Sequence, residues 1–368
     1  MSRMVLQNEK GIALFMVLWV LILLSVIVGE FCYAMRTEVN VTRNFKEQTE
    51  GYYIALAGLN RGISELIRNE FIPASSSTTN ESANNGSGDS PFGPFPSNEE
   101  KNEEAEDDDS RWRINMQIPP ILLGPGRFEV IIGNESGKLN INEAGETLLK
   151  TMLENVDIEQ REKEIIVDSI LDWRDKNNLH RLNGAEDDYY RSLEEPYECK
   201  DADFDTVEEL MMVKGVTPEI YLSRLKDMVT VSKTKGTSSK TKSTSSRKRT
   251  GYRKTGAEKN KININAASKA MLLSLPSMTE DLVQLIIDYR KEADFKSLTD
   301  ISALLGSEVY NDISPYITLD LSPFYTITSV GKLNDSRIRR GIEIMVEIGR
   351  GFESGYRIVK WRDRVSFE

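Results

Sequence analysis

The feature that most constrains this chain is an apolar run from Ile12 to Val28, in which Ser25 is the one polar residue. It follows a polar leader, residues 1–11. A run of about 17–25 apolar residues is long enough to cross a bilayer as a helix, because each residue adds about 1.5 Å of length. The sequence therefore predicts a membrane-spanning helix over residues 12–34.

The junction between the leader and the apolar run predicts how the chain is processed. Gly11 directly precedes Ile12, whereas residues 32–34, after the run, make a poor secretory cleavage site. This arrangement resembles the leader of type IV pilins and type II secretion pseudopilins. In those proteins a prepilin peptidase cuts after the glycine and leaves the apolar helix, with a methylated N-terminus, on the mature chain. The resemblance implies processing at Gly11 and Ile12; the alternative is a plain uncleaved signal anchor.

The fifth residue after Gly11 is Met16, where pilin leaders usually carry Glu. A charged side chain at mid-membrane costs about 2.5–3.5 kcal/mol on insertion scales, so it is tolerated when the N-terminal amine of a neighbouring subunit pairs with it. The chain here resembles the K-type minor pseudopilins of type II secretion systems (the general secretion pathway protein K family), which also lack this Glu. The resemblance implies a position at the pseudopilus tip, with no subunit above.

Residues 35–72 predict a helical spine that continues the membrane helix. Their apolar residues recur at spacings of three and four, which is the pattern of a helix with one buried face; they include Ala55, Leu59, Ile63 and Leu66.

Alternating apolar and polar residues predict strands at residues 112–116, 127–132, 325–331, 339–348 and 356–362. Residues 111–137 and 323–368 would then form one antiparallel sheet against the N-terminal helix. The predicted fold class is α+β. It is a pilin-like fold, with a long N-terminal transmembrane helix and an antiparallel sheet, that carries a large inserted α-helical domain, as the K-type resemblance implies.

The inserted α-helical domain, residues 138–231 and 261–322, contains an internal repeat. Residues 138–144, KLNINEA, are echoed by residues 261–267, KININAA. In both copies a Leu-Leu pair, a helix that ends in an aromatic residue and Arg, and a segment that begins with Phe follow in the same order. The two copies resemble helix-hairpin-helix modules, which in competence and repair proteins hold DNA phosphates with glycine amides.

The charge of the chain argues against a nucleic-acid partner. The formal net charge is −11, and residues 233–261 hold eleven Lys or Arg against one Glu, which leaves −21 elsewhere. Residues 275–281, LPSMTED, place acids where a phosphate-holding hairpin would need glycines. A strongly acidic surface repels nucleic acid. We therefore expect protein–protein scaffolding, with a membrane-anchored, competence-like DNA-binding protein as the rival function.

Two segments have the composition of unfolded chain. Residues 73–110 are rich in Ser, Asn, Gly and Pro and end in an acidic run, and residues 232–260 are a Ser, Thr, Lys and Arg tract without apolar periodicity. Neither can bury enough apolar surface to order itself. The sequence predicts a disordered acidic insert and a basic flexible linker. The linker could also touch anionic lipid or nucleic acid.

A cluster of oxygen-bearing side chains in the first copy predicts a metal site. Calcium takes six to eight oxygen ligands, and the segment 172–190 offers carboxylates and an amide around a turn. The pattern D-W-x-D followed by N-G-A-E-D-x-Y-Y is similar to that of K-type pseudopilins, which implies calcium-supported structure. The candidate ligands are Asp172, Asp175, Asn177, Glu186 and Asp187.

Two alternatives to the calcium site remain open. The segment could be a surface loop held by helix caps and by salt bridges to Arg174, Arg181 and Arg191. Paired carboxylates could also perform glycosidase chemistry, but no other sign of a substrate cleft accompanies them.

The sequence contains no recognisable catalytic motif. His180 is the only histidine, so a Ser-His-Asp triad or a zinc site is not expected, and we expect His180 at the surface. Cys32 and Cys199 are far apart in the chain and are predicted to be free thiols.

The resemblance implies a non-enzymatic minor pseudopilin that caps the tip of the type II secretion pseudopilus and helps initiate its assembly. Its expected partners are other minor and major pseudopilins in a heterotrimeric tip complex, the prepilin peptidase and the inner membrane. The expected location is the bacterial inner membrane, single-pass, with the C-terminal domain in the periplasm. A type IV pilus minor pilin is a close variant.

Overall fold

The computed structural model describes residues 9–71, 111–154, 156, 158–232, 260–334 and 336–363. Helix α1 spans Glu9–Phe71. Within the described residues, its segment from Leu14 has the length and composition of a membrane-crossing helix, with a mean hydropathy of 2.6 over the most apolar window. Side chains from Leu14 to Phe45 are exposed, and those from Glu47 onward begin to contact the rest of the protein. The predicted long N-terminal helix is confirmed.

Shorter elements follow α1. The helices are α2 (Glu146–Glu154), α3 (Gln160–Arg174), α4 (Asp187–Tyr190), α5 (Pro218–Ile220), α6 (Lys226–Met228), α7 (Lys269–Leu273), α8 (Glu280–Glu292), α9 (Leu298–Leu305) and α10 (Ser307–Ile313). The strands are β1 (Ile121–Leu123), β2 (Gly126–Asn134), β3 (Leu139–Asn140), β4 (Val229–Thr230), β5 (Ile262–Asn263), β6 (Ile317–Thr318), β7 (Phe324–Leu333), β8 (Arg339–Ile348) and β9 (Tyr356–Asp363).

The largest sheet among the described residues has the order β1-β2-β7-β8-β9, with every neighbouring pair antiparallel. Its registers place Val130 opposite Ser329 and Ile327 opposite Ile344. Alternate residues of β2, β7 and β8 turn toward α1, because side chains along a strand point to opposite faces. The predicted antiparallel sheet, built from both ends of the chain against the helix, is confirmed.

The core between α1 and this sheet contains the residues that the helical spacing singles out. Ala55, Leu59, Ile63 and Leu66 are all nearly fully buried. They pack with the inward side chains of the sheet, such as Ile132 and Ile344. Burial of this apolar stripe supplies most of the free energy that fixes the helix to the sheet.

The predicted strand at residues 112–116 is wrong, because the segment is irregular. Asn115 adopts a left-handed backbone with φ of 56°, which interrupts an extended chain. Its backbone N–H donates to the Ile132 carbonyl at 2.8 Å. Its side-chain amide donates to the carbonyl oxygens of Asn265 and Ala266, both at 3.1 Å. Asn115, which matched the polar position of an alternating strand in the sequence, therefore links the sheet to the second copy of the repeat.

A close approach of α1 to the sheet depends on Gly331 of β7. A Cβ atom at this position would overlap the carbonyl oxygen of Gly51 and the backbone nitrogen of Ala55, both on α1. Backbone atoms cannot rotate away as a flexible side chain can, so only glycine lets the helix lie this close.

Replacing Gly331 with alanine is expected to lower the free energy of unfolding by about 2 kcal/mol, the usual cost of overpacking a tight interface. Urea unfolding of the full chain in detergent micelles would measure this loss. Gly133→Ala on the adjacent strand is the matched control, since its Cβ would meet only the Thr326 carbonyl oxygen at an ordinary 3.8 Å. Equal losses for both variants would contradict this account of the interface.

A second hydrophobic core lies in the region between β2 and β7. It joins α2, α3, α7, α8 and α9, with fully buried Leu149, Ile170, Ile264 and Ile286 among its members. Two short parallel strand pairs, β3 with β4 and β5 with β6, close the two halves of this region.

The two halves of this region make the same asparagine contacts. In the first half, the Asn142 amide donates to the Phe204 carbonyl at 2.9 Å and accepts from the Phe204 N–H at 2.7 Å. In the second, Asn265 makes both bonds to Phe295, each at 3.0 Å. Each asparagine therefore connects the start of its half to the segment that begins with Phe204 or Phe295.

A half-buried arginine makes the same contacts at the end of one helix in each half. Arg174 of α3 donates to the carbonyl oxygens of Ile141 and Ala144. Arg290 of α8 donates to those of Ile264 and Ala267, both at 2.8 Å. Each guanidinium thus satisfies the carbonyls of a turn that would otherwise be buried without donors.

Polar contacts join this region to the sheet. Asn134 exchanges two hydrogen bonds with the backbone of Ser322, at 2.8 and 3.1 Å. Glu208 pairs with Lys360 at 2.7 Å and also with Arg362 of β9. A Cβ on Gly137 would overlap the backbone of Ala266, so the two parts touch directly.

Three predictions concern segments that lie largely or wholly outside the described residues. They are the leader, residues 1–11, of which 1–8 are outside; the acidic insert at 73–110; and the basic linker at 232–260, of which Ser232 and Asn260 are described.

Candidate metal centre

The candidate site lies where α3 ends and α4 begins. A loop joins the two helices, so that Asp172 and Asp175 at the end of α3 come close to Glu186 and Asp187 at the start of α4. Gly184 in this loop packs directly on Asp172: a Cβ there would overlap the aspartate Oδ2. The glycine of the N-G-A-E-D pattern is therefore needed for the loop to close over the carboxylate.

Asp172 is fully buried and is held by one arginine. Its Oδ2 accepts the Arg181 backbone N–H at 2.9 Å, and its Oδ1 pairs with the Arg181 guanidinium at 2.7 Å. The same guanidinium reaches Asp175 Oδ2 at 3.1 Å. The positive charge of Arg181 therefore lies between Asp172 and Asp175, two of the predicted ligands.

The remaining predicted ligands differ in how far they are engaged. Asp175 Oδ1 accepts the Asn177 N–H at 3.0 Å, and Asn177 Oδ1 in turn accepts the Leu179 N–H at 3.2 Å. Asp187 accepts the Cys199 N–H at 2.9 Å and pairs with Arg191 at 2.9 Å. These hydrogen bonds and ion pairs hold the loop in shape, as the surface-loop alternative expects. Among the described contacts, Arg181 and Arg191 form ion pairs with the loop carboxylates, and Arg174 does not.

Glu186 is the exception among the five predicted ligands. It is 1% exposed, and neither of its carboxylate oxygens has a hydrogen-bond partner among the described residues. Burial raises the pKa of Glu186 to about 7, against a lowering by the neighbouring Cys199 thiol, and the charges of Asp172, Asp201 and Asp175 raise it by smaller amounts. A buried carboxylate without donors is costly unless a proton or a cation neutralises it.

Two residues that the sequence did not single out complete the cluster. Cys199 and Asp201 face Glu186, and the ligand atoms of the three side chains all lie within 4.8 Å of one another. Asp201 Oδ1 is also buried without a hydrogen-bond partner among the described residues, and its backbone is left-handed with φ of 50°. The signal in the sequence was the acidic segment 198–203, ECKDAD, but its position in space depends on the fold.

Aromatic packing fixes the base of the loop. Trp173 is 2% exposed and its ring meets those of Tyr190 at 5.2 Å, Tyr197 at 6.2 Å and Phe204 at 6.3 Å. Lys214 donates to the Gly184 carbonyl at 2.9 Å and lies 4.8 Å from the centre of the Tyr189 ring. The loop that carries the carboxylates therefore packs on a tightly packed aromatic cluster, and this packing limits how far the carboxylates can move apart.

The arrangement suits a divalent cation. Asp172, Asp175, Glu186, Asp187 and Asp201 converge on one loop, while Arg181 and Arg191 supply the opposing charge there. The unpartnered oxygens of Glu186 and Asp201 are the ones that remain available as ligands. A cation would satisfy them and offset both the burial and the repulsion that raise the pKa of Glu186.

His180 is exposed, and Cys32 and Cys199 are both free, as predicted. At the N-terminus of α8, Glu280 and Asp281 lie in the first turn. Acids at this position would repel a DNA phosphate.

The part of the chain that contains this loop is similar to proteins of a known family. Residues 127–234 match the family model of type II secretion system protein K. A stretch of 74 residues is 32% identical to the type II secretion system protein K of Pectobacterium carotovorum subsp. carotovorum, covering 20% of this chain and 23% of that protein. The chain thus aligns with less than a quarter of the length of the curated relative it matches.

A chain in the crystal structure of the GspK-GspI-GspJ complex from the enterotoxigenic Escherichia coli type 2 secretion system also resembles this protein. The TM-score is 0.46 at 15% sequence identity, over 67% of this chain and 83% of that one. The resemblance predicted from the sequence is confirmed: over residues 127–234, this chain matches the protein K family of type II secretion systems.

Proposed function

We propose that this protein is a non-enzymatic minor pseudopilin that caps the tip of a type II secretion pseudopilus and helps to initiate its assembly. The observation that carries the proposal is the protein K match, which includes the candidate metal loop. A 63-residue helix, apolar at one end and packed on an antiparallel sheet at the other, supports the same function.

The N-terminal half of α1 is the proposed membrane anchor. Its side chains from Leu14 to Phe45 are exposed, so they are available to lipid and to the helices of other pseudopilins. We propose a single pass through the bacterial inner membrane with the C-terminal domain in the periplasm. Met16 in place of a buried acid supports the tip position, because no terminal amine is then required from a subunit above.

The proposed partners are two other minor pseudopilins, which with this chain would form a heterotrimeric tip complex, and the major pseudopilin below it. Co-purification of the full chain with minor pseudopilins from detergent-solubilised membranes would test this. Salt-dependent retention of the full chain on DNA, without such partners, would instead favour the competence-like function.

Processing after Gly11 gives a direct test of the proposed maturation by a prepilin peptidase. Mass spectrometry of the chain purified from cells with an active prepilin peptidase is expected to find an N-terminus at Ile12 with a methylated amine. A Gly11→Leu variant should retain the leader, whereas Gly29→Leu, in the same helix, should be processed normally. A native chain that begins at Ala34 or later, or that still carries Met1, would contradict the proposal.

We also propose that the inserted helical region consists of two copies of one helix-hairpin-helix-like module that serves as scaffolding. The matching bonds of Asn142 and Asn265, and those of Arg174 and Arg290, support this.

If the two arginines are equivalent, Arg174→Met and Arg290→Met should each lower the free energy of unfolding by about 2 kcal/mol, since each removes charge-assisted bonds to two buried carbonyls. Urea unfolding of the full chain in micelles measures both losses. Arg161→Met, at an exposed position of the same helix as Arg174, should change stability by less than about 0.5 kcal/mol. Unequal losses at the two arginines would argue against equivalent modules.

Calcium is the proposed cofactor. Glu186 and Asp201 would supply oxygens to the ion, and Asp172, Asp175, Asn177 and Asp187 would surround it or contribute further oxygens. Calcium takes its ligands from carboxylates, amides, carbonyls and water, and this loop supplies the first two types. When bound, the ion would contribute stability to the loop and no chemical step, in keeping with a non-enzymatic role.

A further inference from the structure

The Cys199 thiol is buried inside the carboxylate cluster. The residue is 8% exposed, and its sulfur lies 4.0 Å from the Asp172 carbonyl oxygen. The carboxylates of Glu186 and Asp201 are its neighbours in the cluster.

A thiol is an unusual neighbour for an oxygen-binding cation. Calcium binds oxygen and does not favour sulfur, whereas zinc binds cysteine sulfur at about 2.3 Å and carboxylate oxygen at about 2.0–2.2 Å. Three protein ligands and one water form a common zinc arrangement. Glu186, Cys199 and Asp201 supply three such ligands, one sulfur and two carboxylates.

The geometry requires little rearrangement. In a tetrahedral site with bonds of this length, neighbouring ligand atoms lie roughly 3.5 Å apart. The three ligand atoms here are already within 4.8 Å of one another. Glu186 and Asp201 also bring oxygens that lack hydrogen-bond partners among the described residues, so a cation would not have to displace protein donors from them.

We propose that Glu186, Cys199 and Asp201 form a binding site for a thiophilic divalent cation of the zinc class, which competes with calcium for this loop. Binding forms a zinc–sulfur bond and releases the thiol proton to solvent, with no change in oxidation state. The inference rests in part on the proposed cation-binding role of Glu186, but it adds a requirement for Cys199 that calcium does not have.

Cobalt(II) is the probe for the test, because a cobalt–thiolate bond gives a charge-transfer absorption that oxygen ligands do not give. Titration of the full chain in detergent micelles with Co²⁺ should produce this absorption, and Zn²⁺ should abolish it by displacement. Cys199→Ser should remove the absorption and weaken Zn²⁺ binding more than about 100-fold, beyond the loss typical of a residue that only orients a ligand.

Two further variants make the result specific. Cys32→Ser, at the other and exposed cysteine, should leave the cobalt absorption and the zinc affinity unchanged. Glu186→Gln keeps the thiol but should weaken Zn²⁺ binding at least tenfold. A near-native thermal unfolding curve for metal-free Cys199→Ser would show that the variant is folded.

The outcomes separate this inference from the proposed calcium role. A cobalt–thiolate absorption that depends on Cys199 supports the inference even if calcium fails to stabilise the chain. An absorption lost in Cys32→Ser, or native zinc affinity in folded Cys199→Ser, overturns it while leaving the calcium proposal intact.

Discussion

Replacing Trp173 with alanine is expected to lower the free energy of unfolding by about 3–5 kcal/mol, the usual cost of removing a buried tryptophan from a packed core. The indole is 2% exposed and contacts Tyr190, Tyr197 and Phe204. Its loss would leave a cavity beside Asp172, at the base of the loop that carries the candidate site. Urea unfolding of the full chain in micelles, followed by tyrosine and tryptophan fluorescence, measures the change.

Trp361 provides the matched control. It lies on the edge strand β9, is 39% exposed, and donates to Asp363 at 2.8 Å. Because the Trp361 side chain is far less enclosed than that of Trp173, Trp361→Ala should cost well under half as much. A loss at Trp173 no larger than that at Trp361 would show that the aromatic cluster does not support the fold of this region.

The second large effect is expected from calcium. For an affinity near 10⁻⁴ M, in the range of extracellular calcium modules, 10 mM calcium should stabilise the full chain by about 2.7 kcal/mol. Glu186→Gln should abolish most of this gain, because it replaces the buried carboxylate whose oxygens lack hydrogen-bond partners among the described residues. Thermal unfolding in micelles with calcium or with the chelator EGTA gives both values.

The pH dependence follows from the raised pKa of Glu186. Its ordinary value is 4.5 and its value in the folded protein is about 7. Between these values the unfolded chain is ionised while the folded chain retains a proton, so the stability of the metal-free protein should fall as the pH rises from 4.5 to 7 and then level off. Calcium binds the ionised carboxylate, so its stabilising effect should be larger at pH 8 than at pH 5.

Asp188→Asn is the control for the calcium experiment, because Asp188 is adjacent in the loop but exposed. It should keep both the calcium effect and the pH dependence. In metal-free protein at pH 8, Glu186→Gln should be at least as stable as the native chain, since it no longer buries a charge. If calcium stabilises Glu186→Gln as much as the native chain, the ion does not bind at this loop.

The elements that the sequence predicted best are those with a regular pattern over many residues. The apolar run and the spacing from Ala55 to Leu66 fixed α1, and alternation located β2, β7, β8 and β9 to within three residues at each end. The segment 112–116 shows the limit of such patterns. Its alternation resembled a strand, but Asn115 binds the carbonyls of Asn265 and Ala266, about 150 positions away, and no local pattern encodes that contact.

The candidate site was only partly predictable for the same reason. The D-W-x-D and N-G-A-E-D segments located Asp172, Asp175, Glu186 and Asp187 at one loop, because they are close in sequence. Cys199 and Asp201 come from a separate segment that returns to this loop after α4, and they were missed.

By its own residues, the sequence determined the membrane-length helix, the sheet strands and the place of the acidic loop, because periodicity and composition are local properties. Only the tertiary structure decided which oxygens are free. Arg181 engages Asp172 and Asp175, Arg191 engages Asp187, and Glu186 is left buried beside Cys199 and Asp201. Burial and hydrogen-bond partners depend on segments distant in the chain, and these determine which carboxylates can bind a cation.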